Sequence, residues 1–291
     1  MHPMNQDTYR RFYAEELQAV CRLRSQALVD AFANVPRERF LGPGPWQIRT
    51  MDLMNPGAGG YYPTEDDDPR RIYHNIAVAI DPSRDLNNGH PGTLATWIDS
   101  LGVRPGDRVV HIGAGTGYYT AILAETCGAS GSVLAFEADA QLAERAADNL
   151  RPWPNVLVSH GDGIELAGPA DVIFVNAGVT YAHAAWLEAL AEDGGRLLLP
   201  VTAGFGHVGK GFVARIERTG DGFSARGSSL VMIYNCTVAR DESMGASIGK
   251  AMISGGAMKL RSLRRDPHDE DPTCVIHRQG ACLSSAEAPA N

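Results

Sequence analysis

Cysteine is scarce, basic residues are outnumbered, and no apolar stretch is long. Only five cysteines occur in 291 residues, at 21, 127, 236, 274 and 282, and no two form a C-x-x-C pair. An odd, scattered set argues against a secreted disulfide framework and against zinc; no metal is expected. No apolar run approaches the ~20 residues that span a bilayer, and the opening MHPMNQDTYRRF lacks the apolar core of a secretory signal. The expectation is a cytoplasmic chain in a reducing setting, with no membrane partner. The 26 Lys and Arg residues face 34 Asp and Glu residues, for a net charge of −8. A surface that binds duplex nucleic acid needs a basic stripe, so no nucleic-acid partner is expected either. The G-x-x-x-x-G-K-[ST] phosphate loop is missing, which argues against ATP.

What is present is a layered α/β pattern. The 44% apolar and 21% charged content is that of an ordinary globular chain, and the length suits one large core with appendages. Residues 8–24 and 25–35 read as helices. In the second, Leu28, Ala31, Phe32 and Val35 line one face, and Pro36 stops it. A glycine- and proline-rich loop follows over 41–71, too long for an ordinary connection. Its Glu65–Asp68 run reads as a solvated tip. IAVAI (76–80) reads as a short strand, and 91–101 as a helix with Pro91 at its first position. Strands at 107–112, 132–137, 155–160, 171–178 and 195–201 then alternate with helices, which predicts a doubly wound, mostly parallel sheet. The segments 209–218 and 223–235 flank a TGDG turn and predict an antiparallel hairpin. The fold expected is therefore α/β, Rossmann-like, with seven strands. Residues 1–90 would supply N-terminal helices and a substrate or lid loop, 91–240 the nucleotide-binding domain, and 241–291 a C-terminal extension, partly disordered.

The stretch VVHIGAGTGYYTAILAE (109–125) sets Gly113, Gly115 and Gly117 between a strand and a helix. Such a loop brings a ligand against the backbone. Its G-x-G-x-G spacing is not the G-x-G-x-x-G of dinucleotide binders. Glu137 ends the next strand, 20 residues after Gly117, where a carboxylate can accept both ribose hydroxyls. Ala138 follows it. HGDG (160–163) ends the third strand and puts Asp162 and Gly163 where an adenine would lie. The three strand ends together point to an adenosine ligand. The hairpin that closes the parallel sheet favours S-adenosyl-L-methionine over NAD.

These motifs resemble the protein-L-isoaspartate O-methyltransferase family over residues 10–240. ALVDAFANVPRERFLGP is similar to that family's V-P-R-E-x-F stretch, and VVHIGAGTGYYTAILAE to its cofactor loop. FEADAQLAERAADNL, HGDG and GGRLLLPV match in order and spacing. Two departures stand out. His111 replaces a Glu near the methionine end of the cofactor, and NNGHPG (87–92) replaces Thr-Ile-Ser-x-Pro, with Gly89 near the place of the serine. The resemblance implies methyl transfer from S-adenosyl-L-methionine to an isoaspartyl carboxylate of a protein or peptide, as in repair through ester and succinimide.

Such a reaction needs no general base, because a carboxyl of pKa ~4 is ionised at neutral pH. It needs a cradle for an anion, and the helix start at Gly89-His90-Pro91 offers backbone N–H groups and a positive dipole end. Asn88, Gly89, His90 and Asn176 are the candidates at the reacting groups, with Asn87 a further donor. His111, Gly113, Gly115, Gly117, Tyr118, Glu137, Ala138, Asp162, Gly163 and Asn176 are the candidates for the cofactor. Tyr119 is expected to pack inside, and His183 to face solvent. Two further readings compete. One is carboxyl methylation of a dedicated peptide or small acid; the other is a non-enzymatic adaptor that binds the cofactor and recruits a partner through its tail. Base methylation is disfavoured, because NAGVT stands where an Asn/Asp-Pro-Pro-aromatic stretch would be needed.

Overall fold

Local capping sets the first elements. Helix α1 (Gln6–Cys21) begins at Asn5, whose side chain accepts from the Asp7 N–H, and ends at Arg22 in a left-handed conformation. Helix α2 (Gln26–Asn34) is capped by Ser25, which accepts from the Leu28 N–H. It buries Leu28, Val29, Ala31, Phe32 and Ala33. The computed structural model describes residues 5–50, 60–166, 168–204, 206–220 and 222–288. Residues 51–59 of the long loop lie outside that set. The rest of the loop holds β1 (Gln47–Arg49) and β2 (Tyr61–Pro63), paired antiparallel.

The strand expected at 76–80 starts later, as β3 (Ala79–Asp81), which pairs with β4 (Leu86–Asn87). The reason lies in Arg37 and Asn88. The guanidinium of Arg37 takes the Ile76 carbonyl, and the Asn88 side-chain oxygen takes the Val78 N–H. Both groups are lost to a sheet ladder. Helix α3 (Pro91–Leu101) then runs as expected. The alternating region follows as β5 (Arg108–Ile112), α4 (Tyr118–Cys127), β6 (Ser132–Glu137), α5 (Ala140–Asn149), β7 (Val156–His160), β8 (Val172–Val175), α6 (Ala184–Ala189), β9 (Asp193–Ala203), β10 (Val208–Thr219) and β11 (Gly222–Tyr234). Helix α6 is shorter than its sequence pattern. Leu190 and Ala191 are drawn to Ala170 instead, where the Ala191 N–H donates to the Ala170 carbonyl at 2.8 Å.

The tail does not trail away. Helix α7 (Gly245–Ile253) and strands β12 (Ser262–Arg264), β13 (Cys274–Ile276) and β14 (Cys282–Ser284) occupy it. Residues 289–291 lie outside the described set. The sheet order is β13-β14-β12-β11-β10-β9-β8-β5-β6-β7, ten strands where seven were expected. The three added strands come from the extension. Strands β5, β8 and β9 are mutually parallel, and β9, β10 and β11 form an antiparallel meander.

The chain divides into two compact units. The first is Met1–Gly106, Ala114–Val133 and Asp139–Val158, and its core includes Tyr13, Leu17, Phe32, Ile98, Tyr118 and Ile122. The second is Asp107–Gly113, Leu134–Ala138 and Ser159–Asn291. Its core joins Ile173, Leu197, Phe212 and Trp186 to Ile248, Leu263, Ile276 and Leu283 of the extension. Each such side chain contributes ~1.5–3 kcal/mol when fully buried, so the extension is part of this unit's core. No helix among the described residues is long and apolar enough to cross a membrane.

Candidate functional site

The glycine loop has the geometry its composition suggests. Gly113, Gly115 and Gly117 have φ of +81°, +58° and +96°, values that a Cβ opposes. Gly117 caps α4, and a Cβ there would meet Leu150 Cδ1 at 2.8 Å; at Gly115 a Cβ would meet nothing within 4 Å. Backbone can therefore be approached at Gly115 and cannot be widened at Gly117.

Six of the candidate residues sit at strand ends in the second unit. The Gly113 N–H donates to the Phe136 carbonyl at 2.9 Å, and the Asn176 N–H to the Ile112 carbonyl at 2.8 Å. The Asn176 side-chain amide points at the Gly113 carbonyl, 3.5 Å away. Glu137, half-buried, ends β6, and Ala138 is exposed beyond it. The Gly161 N–H donates to the Glu137 carbonyl at 2.9 Å. One Asp162 carboxylate oxygen accepts from the Ile164 N–H at 3.2 Å, and the Gly163 carbonyl accepts from the Trp186 indole at 2.8 Å. Gly113, Glu137, Ala138, Asp162, Gly163 and Asn176 thus share the C-terminal ends of β5 to β8, where open α/β sheets bind ligands.

Two candidates are placed elsewhere. His111 is fully enclosed, its ring stacked on Phe174 with centroids 5.1 Å apart. Burial drives its pKa down to about 3, so it is neutral at pH 7 and part of the core. Tyr118, in the first unit, is also enclosed. It packs edge-on against Phe32, Phe40 and Tyr119, with the Arg37 guanidinium 5.9 Å from its ring centre. The packing expected for Tyr119 holds for both tyrosines. His183 is a helix cap: its Nδ1 accepts from the Ala185 N–H at 3.2 Å.

The NNGHPG turn differs from a rack of open donors. The Asn88 N–H donates to the Val78 carbonyl, the Gly89 N–H to the Asn87 side chain at 2.9 Å, and the Gly92 N–H to the Asn75 side chain at 2.7 Å. Asn88 is buried, with its side-chain oxygen shared between the Val78 N–H and Arg37; its amide nitrogen has no hydrogen-bond partner. His90 is exposed at the start of α3. Partial burial of its ring, and then the charge of Arg37, hold its pKa below the usual value. Gly89 has φ +81°, so the turn demands glycine for its backbone as well as lacking a hydroxyl.

The residue that organises this turn was not among the candidates. Arg37, fully buried, donates to the carbonyls of Ile72 at 2.5 Å, His74 at 3.1 Å and Ile76 at 2.6 Å, and to Asn88 at 3.2 Å. Its signal was in the sequence, as the Arg of VPRERF. A planar fork of five donors suits converging carbonyls better than a lysine would.

A second omission lies in the extension. His268, Cys274, His277 and Cys282 bring their ligand atoms within 4.8 Å of one another. The expectation of no metal rested on the missing C-x-x-C pair. The spacing H-x5-C-x2-H-x4-C was the readable signal. Burial and the adjacent Cys274 push the Cys282 thiol up to about 12.

Comparison with known proteins is consistent with this arrangement. The profile of the protein-L-isoaspartate(D-aspartate) O-methyltransferase family matches residues 63–239. Protein-L-isoaspartate O-methyltransferase 1 of Archaeoglobus fulgidus is 32% identical over 203 residues, which cover 68% of this chain and 82% of that protein. The protein-L-isoaspartate O-methyltransferase of Pyrobaculum arsenaticum is 29% identical over 211 residues, 70% of this chain and 90% of that one. A solved protein-L-isoaspartate O-methyltransferase superposes with a TM-score of 0.56 at 20% identity, over 87% of this chain and 72% of its own. A beta-aspartate methyltransferase of Plasmodium falciparum, solved with S-adenosyl-L-homocysteine, gives 0.52 at 15% identity, over 79% of this chain and 95% of its own. These last two likenesses are of fold.

Proposed function

Because the chain belongs to the protein-L-isoaspartate(D-aspartate) O-methyltransferase family, we propose that it methylates the carboxylate of isoaspartyl residues in proteins or peptides. The observation that carries this reading is the family match across the glycine loop and the strand ends. S-adenosyl-L-methionine, when bound, supplies an electrophilic methyl group. The residues fit it. Left-handed glycines open the backbone at Gly115, and the Glu137 carboxylate at the end of β6 suits a ribose diol. Asp162 and Gly163 would bound the adenine, and Asn176 would stand at the reacting groups. No residue must take a proton, because the acceptor carboxyl is already ionised. The neutral, enclosed His111 is compatible with that. Arg37 and Asn88 hold the turn that carries Gly89 and His90. A reducing, cytoplasmic setting belongs to the same reading.

The test is methyl transfer with labelled cofactor to an isoaspartyl peptide and its aspartyl twin. Base-labile label, with the isoaspartyl peptide preferred over its twin, is expected; alkali-stable label would overturn the carboxylate assignment. Glu137→Ala should weaken cofactor binding by ~1.5–3 kcal/mol, about 10- to 150-fold, and unchanged affinity by calorimetry would move the ribose elsewhere. One observation keeps a second acceptor class in view. Gly89 presents no hydroxyl near the place of the family serine, so a donor that could reject other acids is missing. Dedicated peptides and small acids belong in the same assay.

A further inference from the structure

We propose that His268, Cys274, His277 and Cys282 form a tetrahedral zinc site that ties the C-terminal extension together. All four lie beyond residue 239, where the family match ends. They come from three short strands and their connections. His268 lies between β12 and β13, Cys274 opens β13, His277 follows it, and Cys282 opens β14.

The atoms are placed for a shared ligand. The four donor atoms lie within 4.8 Å of one another. Around zinc, with Zn–N ~2.0–2.1 Å and Zn–S ~2.3 Å, tetrahedral neighbours stand about 3.3–3.8 Å apart. The Cys274 sulfur and His268 Nε2 are already 3.7 Å apart. Closing the rest needs shifts of about an ångström at side-chain tips. The two imidazoles meet edge to face, centroids 5.0 Å apart, which leaves both rings free to aim at one point.

The surrounding groups support ligation. His268 Nδ1 lies 2.8 Å from the Asp266 carbonyl, and that bond fixes the ring with Nε2 toward the cluster. The Asp271 N–H points at the Cys274 sulfur, 3.4 Å away. His277 Nδ1 is buried with no hydrogen-bond partner, a costly state that a metal, or a neighbour drawn in by one, relieves. The nearby carboxylates Asp266 and Asp271 both pair with Arg264, and Asp266 also stands 3.3 Å from His268 Nδ1, where it helps to orient that ring. Two sulfurs and two imidazoles in a closed tetrahedron favour zinc among divalent ions, and two thiolates neutralise its charge. With no open position, the site is structural and not catalytic. Strands of three residues have little stability alone; a metal that joins them makes their register definite.

The experiment uses the full chain, purified under reducing conditions without a histidine tag. Mass-spectrometric metal analysis should find one zinc per chain, and cobalt(II) exchange should give the intense visible bands of a tetrahedral thiolate site. Cys282→Ser and His268→Ala should each lose the zinc while the far-ultraviolet spectrum is kept. Should a variant not fold, native thiol titration of the wild type decides: chelator should expose two further reactive thiols, and added zinc should mask them again. Substoichiometric zinc after refolding with excess Zn²⁺ overturns the proposal. So does full zinc content in both variants, or a Cys274–Cys282 disulfide in the reduced preparation.

Discussion

Two polar clusters, one in each unit, solve the same problem in opposite ways. Around Arg37, a full charge is enclosed, yet its two terminal nitrogens meet four acceptors, and the rings of Tyr13 and Tyr118 stand 5.9 Å from it. Among His268, Cys274, His277 and Cys282, lone-pair donors face one another. In the first cluster three backbone carbonyls and one side-chain oxygen meet the terminal nitrogens and hold a turn. The second is short of a cation. The difference shows that burial of polar groups is informative only with the partner count beside it.

The comparison can be broken most forcefully at Arg37. Arg37→Met removes the charged donor from three carbonyls and from the Asn88 oxygen, and should cost about 3–5 kcal/mol in urea unfolding. Arg37→Lys keeps the charge without the fork and should recover less than half. A loss below ~1 kcal/mol would mean that the cluster is not what holds the turn.

The second cluster should respond to zinc instead of to charge. Zinc at 100 to 1,000 times its dissociation constant should add about 3–4 kcal/mol to unfolding, and chelation should remove it. The Arg37→Met protein should show the same increment, since sites with no shared partners add. Equal melting with and without chelator would erase the contrast.

His111 offers an intermediate case, a buried titratable ring kept neutral by desolvation. Its folded pKa of about 3 lies below the ordinary 6.5. The unfolded chain therefore binds the additional proton between those values. This group leaves stability undiminished above pH ~6.5 and lowers it as pH falls toward 3. From pH 7.5 to 5 its share is about 2 kcal/mol. His111→Phe should flatten the slope by that amount in denaturant titrations at the two pH values. An unchanged slope would show that the ring is hydrated in solution.

The smallest effect concerns Gly89. With φ +81° and Leu94 Cδ2 at 3.1 Å from where a Cβ would stand, Gly89→Ser should cost about 1 kcal/mol through left-handed strain. The sequence suggests that this change restores a hydroxyl and sharpens isoaspartyl preference. The backbone adds a second consequence, so Gly89→Ala serves as the control. A Ser variant as stable as wild type would show that the turn relaxes.

Much of this molecule was legible residue by residue. The start of α3 and the end of β6 follow directly from Pro91 and Glu137, because capping and apolar runs are local. The left-handed loop of Gly113, Gly115 and Gly117 was readable for the same reason: only glycine makes that path inexpensive. Where the reading slipped, a distant partner intervened. The strand near residue 78 was displaced because Arg37 and Asn88 take its hydrogen-bonding groups, and α6 stopped because Ala170 draws Leu190 and Ala191 into an isolated bridge. Tyr118 looked like a ligand contact beside the loop, but Phe32 and Phe40, far along the chain, enclose it.

Sequence alone therefore determined the α/β order, the glycine loop, the acidic strand end and the family, since these rest on short-range spacing and backbone preference. Tertiary structure decided which polar groups are satisfied. It tied Arg37 to the 72–88 turn, sealed His111 against Phe174, and made the tail a three-strand extension of the sheet. It also gathered two cysteines and two histidines that no C-x-x-C pair announced. The physical reason is that hydrogen bonding and metal ligation depend on distances in space, and three-residue strands carry too little periodicity to reveal which distances folding will close.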